Sequence, residues 1–439
     1  MAGLKRRRFI SAVTGSTLLA SVAPRLGASP LDVTPIAKIN APAGNPEALA
    51  RDEAYWGEVS RHFTRAGPLI NLEHGYWGKM AAPVRDAYLE ATRQINDQNS
   101  VYGRKHYGFD EQRSVERIAQ SLGASPDEIV LTRNATEAIH NLIRQYKGLN
   151  PGDRVLYADI DYPQFKTTMA WLEQSRGVSV TRLDLPGRAS EQQILERYLE
   201  VFDRYENLKL MLLTHASNQH GLVLPVRQIA AEARLRGIDV ICDCAQSWGL
   251  IDFRISDLGV DWAGFNLHKW IGNPLGVGAL YLRRGSFSKI APYPGEKDPT
   301  DTRATARVHT GTANFAAMAS VPWALDFHHA LGGPNKEARL RYLRSLWTDY
   351  ADEMTHIEVL GGTNEKDWSG MGAFRLAGQS SVDDAKALQA RLENDFGIFT
   401  VVRTGLSSGA CVRVTPQVFS TPDDMARLCD ALKKLSKLT

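Results

Sequence analysis

The sequence predicts a layered α/β fold, with a mainly parallel seven-stranded sheet between helices and a smaller α+β unit after it. Two observations carry this. From residue 68 onward short β-rich runs alternate with helical patterns, as in strands joined by helical crossovers. After about residue 320 the alternation stops, and long helical stretches lead into a mixed tail. A chain of 439 residues, 43% hydrophobic and 23% charged, holds enough apolar surface for such a core and lacks the bias of a fibre or a disordered chain.

The strand candidates are 129–131, 155–158, 178–183, 209–213, 239–242, 262–265 and 278–281. Between several of them lie helix-like stretches at 136–145, 164–175 and 226–235. Helical patterns at 319–331 and 336–354 follow, separated by Gly332-Gly333-Pro334. The chain therefore divides into a leader (1–28), an arm or linker (29–67), a large domain (68–319) and a small C-terminal domain (320–439).

The leader carries Arg6-Arg7-Arg8-Phe9-Ile10, then an uncharged run to Ala23 that is too short for a standard membrane span. Two arginines, a spacer, Phe and an aliphatic residue match the twin-arginine export pattern. The expectation is a protein exported folded to the periplasm by the twin-arginine translocase. It would be cut after Ala23 or Ala28 and have no stable membrane insertion afterwards. Removing Lys5, Arg6, Arg7 and Arg8 takes the formal charge from +3 to −1, which argues against nucleic-acid binding. Cys242, Cys244, Cys411 and Cys429 form no CxxC pair or zinc spacing, and no metal constellation is visible. Cys242 and Cys244 should face one side of a strand as buried free thiols.

In such sheets ligands bind at the carboxyl ends of the strands. Three loops there carry chemistry. Thr132-Arg133-Asn134-Ala135-Thr136 opens a helix, and its N–H groups at Ala135 and Thr136 suit an anion. An ordinary cap by Asn134 or Thr136 is the alternative. Asp243 ends an apolar strand. Lys269, in Asn266-Leu267-His268-Lys269-Trp270, stands between a strand end and a glycine-rich stretch, whereas lysine usually seeks solvent. Asp243 and Lys269 are 26 residues apart, on successive strand ends. A partly desolvated lysine, an acid and a phosphate site are what pyridoxal 5'-phosphate (PLP) requires: a Schiff-base amine, a partner for the pyridine nitrogen and an anion cradle.

The segments RNATEA (133–138), HASNQHGLVLPV (215–226), DCAQSWG (243–249), FNLHKWIGNPLGVG (265–278), RVHTGTANFAA (307–317) and CVRVTPQ (411–417) resemble those of class V, fold-type I aminotransferase-like PLP enzymes. That family includes cysteine desulfurases, kynureninase and an isopenicillin N epimerase-like branch. The resemblance runs in order over roughly 68–430. It implies that Lys269 carries PLP as a Schiff base and later moves protons, and that Asp243 pairs with the pyridine nitrogen. Gln246 would lie near the ring hydroxyl. Ala135, Thr136, Asn266 and His268 would hold the phosphate. Gly311 and Thr312 would reach it from a second subunit of a homodimer. Tyr162 would stack on the ring, in Asp161-Tyr162-Pro163 where a histidine is commoner. Asn218 and Arg413 would receive the substrate's α-carboxylate, for which a planar guanidinium is suited.

Desulfurases carry a mobile cysteine after an Arg-Thr-Gly segment. Here Arg403-Thr404-Gly405 leads to Ser408 at that place, which cannot carry a persulfide, while Cys411 lies three residues on. The side-chain pocket is expected from 71–77 and 101–107, with His74, Tyr76 and Arg104 as substrate candidates for an amino acid or peptide. Exported members that the chain resembles include one that tailors a glutamate side group of the siderophore pyoverdine, so siderophore tailoring is the specific expectation. Transamination, epimerisation, β-elimination and decarboxylation all stay open, because the sequence does not say which Cα bond stands perpendicular to the ring. A non-catalytic protein on the same scaffold is the reading from another class; intact Asp243, His268, Lys269 and Arg413 weigh against it.

Overall fold

Seven strands form the main sheet: β1 (Ile129–Thr132), β2 (Arg154–Ala158), β3 (Ser179–Leu183), β4 (Leu208–Thr214), β5 (Asp239–Asp243), β6 (Trp262–Asn266) and β7 (Gly278–Leu282). In the computed structural model, which describes Leu31, Ala41, Pro42 and residues 44–435 except Ala66, they lie in the order β1-β7-β6-β5-β4-β2-β3. β2 to β6 pair in parallel; β7 runs antiparallel to both β1 and β6. The expected export segment lies outside the described residues, and so does most of residues 29–43. Among the described residues no helix is long and apolar enough to cross a membrane.

A strand points alternate side chains to opposite faces, so a central strand covered on both sides reads as one apolar run. β4 shows this. Leu210 and Leu212 pack with Val155, Ile241 and Trp262 on one face, while Met211 and Leu213 pack with Leu156, Cys242 and Phe265 on the other. Helices α1 (Ala135–Gln145) and α2 (Pro163–Arg176) cover the first face through Ile139, Leu142, Phe165 and Met169. Helices α3 (Glu191–Arg204) and α4 (Val226–Leu235) cover the second through Ile194, Tyr198 and Ile229. Each inward leucine contributes about 1.5–3 kcal/mol of burial. α1 starts where it does because the Asn134 side chain accepts the Glu137 N–H at 2.8 Å.

After the main sheet come α5 (Val321–Leu331), whose Val321, Ala324, Leu325 and Phe327 pack in the core on the sheet's second face, and α6 (Gly333–Asp352), which leads into a second unit. Gly332, at φ 83°, makes the break between them; Gly333 and Pro334 belong to the first turn of α6. Strands β8 (Ile357–Gly362), β9 (Gly372–Leu376), β10 (Val401–Arg403) and β11 (Cys411–Val414) form an antiparallel sheet in the order β10-β11-β9-β8. Two pieces of the stretch assigned by sequence to the large domain join this unit. Arg188–Ala189 adds a parallel edge strand to β8, and Ile70–Asn71 pairs with Ile398–Phe399, sending Ile70 and Leu72 into a core with Trp347, Phe374 and Val412. Two-residue strands carry no periodicity from which their partner could be read. Cys242 and Cys244 are buried and free, with their Sγ atoms 3.6 Å apart.

Two glycines let α1 sit at the strand ends. A Cβ on Gly264 would come within 2.6 Å of Ile139, and one on Gly278 within 2.5 Å of the Asn134 Cα. The second clash is with backbone and cannot be relieved by a rotamer. Gly278→Ala should therefore destabilise the protein by about 1–3 kcal/mol. The urea midpoint should fall while the slope is kept; an unchanged midpoint would show that α1 is not held this closely.

Candidate active site

β5 and β6 are neighbours in parallel register, with Asp243 opposite Gly264, so their carboxyl ends open on the same edge of the sheet. Asp243 is the last residue of β5, and His268 and Lys269 lie just beyond Asn266 at the end of β6. Asn266 Oδ1 accepts the Ala135 N–H at 2.8 Å, which binds the helix start to that edge. Of the expected phosphate donors, Ala135 is thus already engaged by Asn266, and Asn134 is the residue that caps α1. His268 Nδ1 lies 3.2 Å from the Val277 carbonyl, and burial, helped by Lys269, lowers its pKa to about 4, so the ring is neutral.

Lys269 is half-buried. Desolvation lowers its amine to about 8; Asp243 and Glu73 oppose the shift, and Arg413 and Arg403 add to it. Burial raises Asp243 to about 6, against the Ala245 N–H that its Oδ1 accepts at 2.8 Å and the nearby Lys269. Behind it stands a second acid the sequence reading left unassigned. Asp161 is fully buried, receives the Thr214 hydroxyl at 2.6 Å and the Ala158 N–H at 2.7 Å, and is raised to about 7, chiefly by burial. Tyr162 is half-buried at the start of α2, and its phenol is shifted up by burial, with Arg403, Asp243 and Tyr76 acting on it electrostatically. Gln246 is held at both ends: Nε2 donates to the Gly75 carbonyl (2.8 Å) and Oε1 accepts from Trp270 Nε1 (2.9 Å).

A strap from Leu72 to Lys79 crosses this edge. The Gly78 N–H donates to the His268 carbonyl at 2.9 Å, and a Cβ at Gly78 would lie 1.6 Å from the Lys269 carbonyl oxygen. At the other end of the strap Glu73 meets Arg413. Arg413 Nη2 donates to both Glu73 oxygens (2.7 and 2.8 Å), and Nη1 donates to the Asn218 carbonyl (2.6 Å). Asn218 therefore touches Arg413 through its backbone; its side-chain oxygen accepts from Gln219 at 3.3 Å. Arg403 stands 3.8 Å from Glu73 and is lowered to about 10 by burial and by Arg413.

Glu73, Arg403, Gly75, Gly78 and Asp161 are thus the residues near Lys269 to which the sequence reading gave no role. Glu73 had a signal, lying inside the stretch proposed for the pocket, and Arg403 was noted only as a landmark. The three pocket candidates are placed apart. His74 is buried behind the strap, with Nε2 3.0 Å from the Asn71 carbonyl and its ring edge-on to Phe419. Burial lowers its pKa to about 4. Tyr76 is 76% exposed at the tip of the strap. Arg104 lies on an exposed helix face, with no hydrogen bond or ion pair to the residues around Lys269. Gly311 and Thr312 are exposed; Gly311 borders a cavity of about 1190 Å³ whose walls include Tyr107, Val130 and Phe287 but none of the residues around Lys269.

The loop after Arg403 is pinned. Asp159 Oδ2 accepts both the N–H and the hydroxyl of Ser407 at 2.8 Å, Gln219 Oε1 accepts the Gly405 N–H at 3.1 Å, and the Ser408 carbonyl accepts from Arg375 at 2.5 Å. Cys411 is buried in β11 opposite Arg403, and burial raises its thiol to about 12. It is a protonated strand residue and no mobile nucleophile.

A family model for aminotransferase class V matches residues 87–418. The isopenicillin N epimerase of Amycolatopsis lactamdurans is 27% identical over 400 residues, covering 87% of this chain and 99% of that one. A cysteine desulfurase of Haloferax volcanii is 26% identical over 417 residues, covering 87% and 93%. Among solved structures, the Escherichia coli cysteine desulfurase CsdA superposes with a TM-score of 0.72 at 20% identity, over 90% of this chain and 100% of that one. Strand-end lysine, buried acid and family match agree: the chain belongs to the class V aminotransferase family of pyridoxal-phosphate enzymes.

Proposed function

We propose that this enzyme transforms the α-carbon of a carboxylate-bearing amino acid or amino-acyl group, with Lys269 as cofactor anchor and proton carrier. The observation that carries the reading is the desolvated Lys269 amine beside buried Asp243, on adjacent strand ends. The residues fit PLP. Lys269 supplies the amine that bonds its aldehyde carbon, Asp243 a carboxylate for its ring nitrogen, and the start of α1 with Thr136, Asn266 and His268 a phosphate seat. When bound, the cofactor withdraws electrons from the substrate's α-carbon.

The chain's own residues do the rest. Lys269 Nζ, when unbonded, would be neutral often enough near pH 8 to accept a proton at the substrate's α-carbon. Asp243 is ionised above about pH 6, and its negative charge would favour a proton on the ring nitrogen of a bound cofactor. Arg413, aimed by Asn218, receives the substrate carboxylate and so decides which α-carbon bond is aligned for cleavage. Tyr162 would stack on the cofactor ring, and Gln246, held between Gly75 and Trp270, ties the strap to the site. With Ser408 at the place of the desulfurase cysteine and Cys411 locked in β11, persulfide transfer is not this chain's chemistry.

The working unit is a homodimer in this reading, with Gly311 and Thr312 completing the partner's phosphate seat. Both are exposed, and Gly311 borders a large cavity away from Lys269, which supports it. Export through the twin-arginine route, read from Arg6 to Ala23, brings the enzyme to the periplasm. A maturing siderophore peptide such as pyoverdine, with its glutamate side group, is the substrate that fits both export and a carboxylate-binding arginine.

Four measurements test these statements. Borohydride reduction of the holoenzyme should leave a pyridoxyl tag on Lys269, and Lys269→Ala should lose both tag and turnover; a tag elsewhere refutes the anchor. Reconstitution of the apoenzyme should speed up as pH rises through about 8, where the amine loses its proton. In Asp243→Asn the midpoint should move lower, because the carboxylate is what holds the amine's affinity for protons up. Mixed dimers of Lys269→Ala with a Thr312→Arg chain should regain one sound site in two, whereas no recovery on mixing would count against sites shared between subunits. Cell fractionation should find the shortened chain in the periplasm; full-length protein confined to the cytoplasm would end the export reading.

A further inference from the structure

We infer that Glu73 is a built-in competitor for the substrate's carboxylate: it neutralises Arg413 in the free site and passes to Arg403 when a carboxylate engages Arg413. This rests on Arg413 as the carboxylate receptor and adds the residue that tunes it.

Arg413 and Glu73 side chains are 0% and 8% exposed. A carboxylate gripping a guanidinium in a fork uses two neighbouring nitrogens. Glu73 uses one. Both its oxygens rest on Nη2, Nη1 is committed to the Asn218 carbonyl, and Nε is buried with no hydrogen-bond partner among the described residues. A buried donor left without an acceptor is costly, and the Nε–Nη2 edge is a standard carboxylate fork. A substrate carboxylate that takes this edge satisfies Nε and removes Glu73 from Nη2.

Glu73 then has a second partner at hand. Arg403 Nη2 is 3.8 Å from Glu73 Oε1, and Arg403 Nε is likewise buried without a partner. Two guanidiniums share one carboxylate, so a second carboxylate brings each a counter-ion of its own. The exchange needs only a side-chain rotation. The strap backbone is tied by Thr415 N–H and Oγ1 to the Leu72 carbonyl (2.8 and 2.9 Å), by Gln246 to Gly75 (2.8 Å) and by Gly78 to His268 (2.9 Å). Gly75 is required here, since a Cβ would come 2.6 Å from Arg413 Nη2. The ligand class is the α-carboxylate of an amino acid. Its affinity is a difference between two carboxylates at one arginine, and an uncharged analogue, unable to displace Glu73, gains nothing from Arg413.

The test is calorimetric binding of lactate and lactamide, which lack the reacting amine, to the holoenzyme and its variants. Glu73→Gln should tighten lactate by about tenfold, the size of one lost competing ion pair, and leave lactamide unchanged; Glu73→Asp should fall between. Arg403→Gln should weaken lactate severalfold, because the displaced Glu73 loses its second partner. Unchanged or weaker lactate binding in folded Glu73→Gln overturns the inference while Arg413→Gln still abolishes binding. If Arg413→Gln binds lactate like the wild type, the receptor reading falls and takes this one with it. Should Glu73→Gln fail to fold, Glu73→Asp decides by the same lactate-to-lactamide ratio.

Discussion

The site is built around a lysine and an aspartate kept in a place where neither charge is comfortable. Water would hold the Lys269 amine protonated and the Asp243 carboxylate ionised with room to spare. At the sheet edge, loss of hydration brings the two to about 8 and about 6, and their mutual attraction keeps them from going further. Burial without the partner would leave a costly isolated charge, and a partner without burial would leave a lysine too basic to give up its proton. Parallel pairing of β5 and β6 puts both at the same end, so sheet topology and pKa tuning have one cause.

The site is closed by pieces from distant parts of the chain. Its floor comes from the main sheet, its arginine-bearing wall from β10 and β11, and the strap from residues 72–79 connects them. The strap comes closest at two glycines: Gly75 lies on Arg413 and Gly78 on the Lys269 carbonyl. Asp159, through Ser407, fastens the loop after Arg403 to the end of β2. The loop lies between the two strands that carry Arg403 and Arg413, and Gln219 and Arg375 tie it as well.

The parts of this picture visible in sequence are those with local causes. Apolar runs of strand length, Asp243 after one and Lys269 after the next, depend only on the alternation of a parallel sheet and on the rule that ligands meet strand ends. Their order along the chain also carried the family. Local patterns could not say that Ile70–Asn71 pairs with Ile398–Phe399, because two residues have no period. Nor could they rank His74 below Glu73, neighbours that point to opposite sides of the strap: one ring is buried against Phe419, the other side chain lies on Arg413.

By itself, then, the sequence determined the layered fold, a lysine and an aspartate on successive strand ends, and a loop after Arg403 with serine at 408. Tertiary structure alone decided what Arg413 is paired with, that Arg403 stands beside the same carboxylate, and that Cys411 is out of reach. The reason is physical. Strand, cap and glycine signals act over a few residues, whereas the Glu73–Arg413 contact joins groups 340 positions apart, and its existence depends on how two separately formed cores settle against each other.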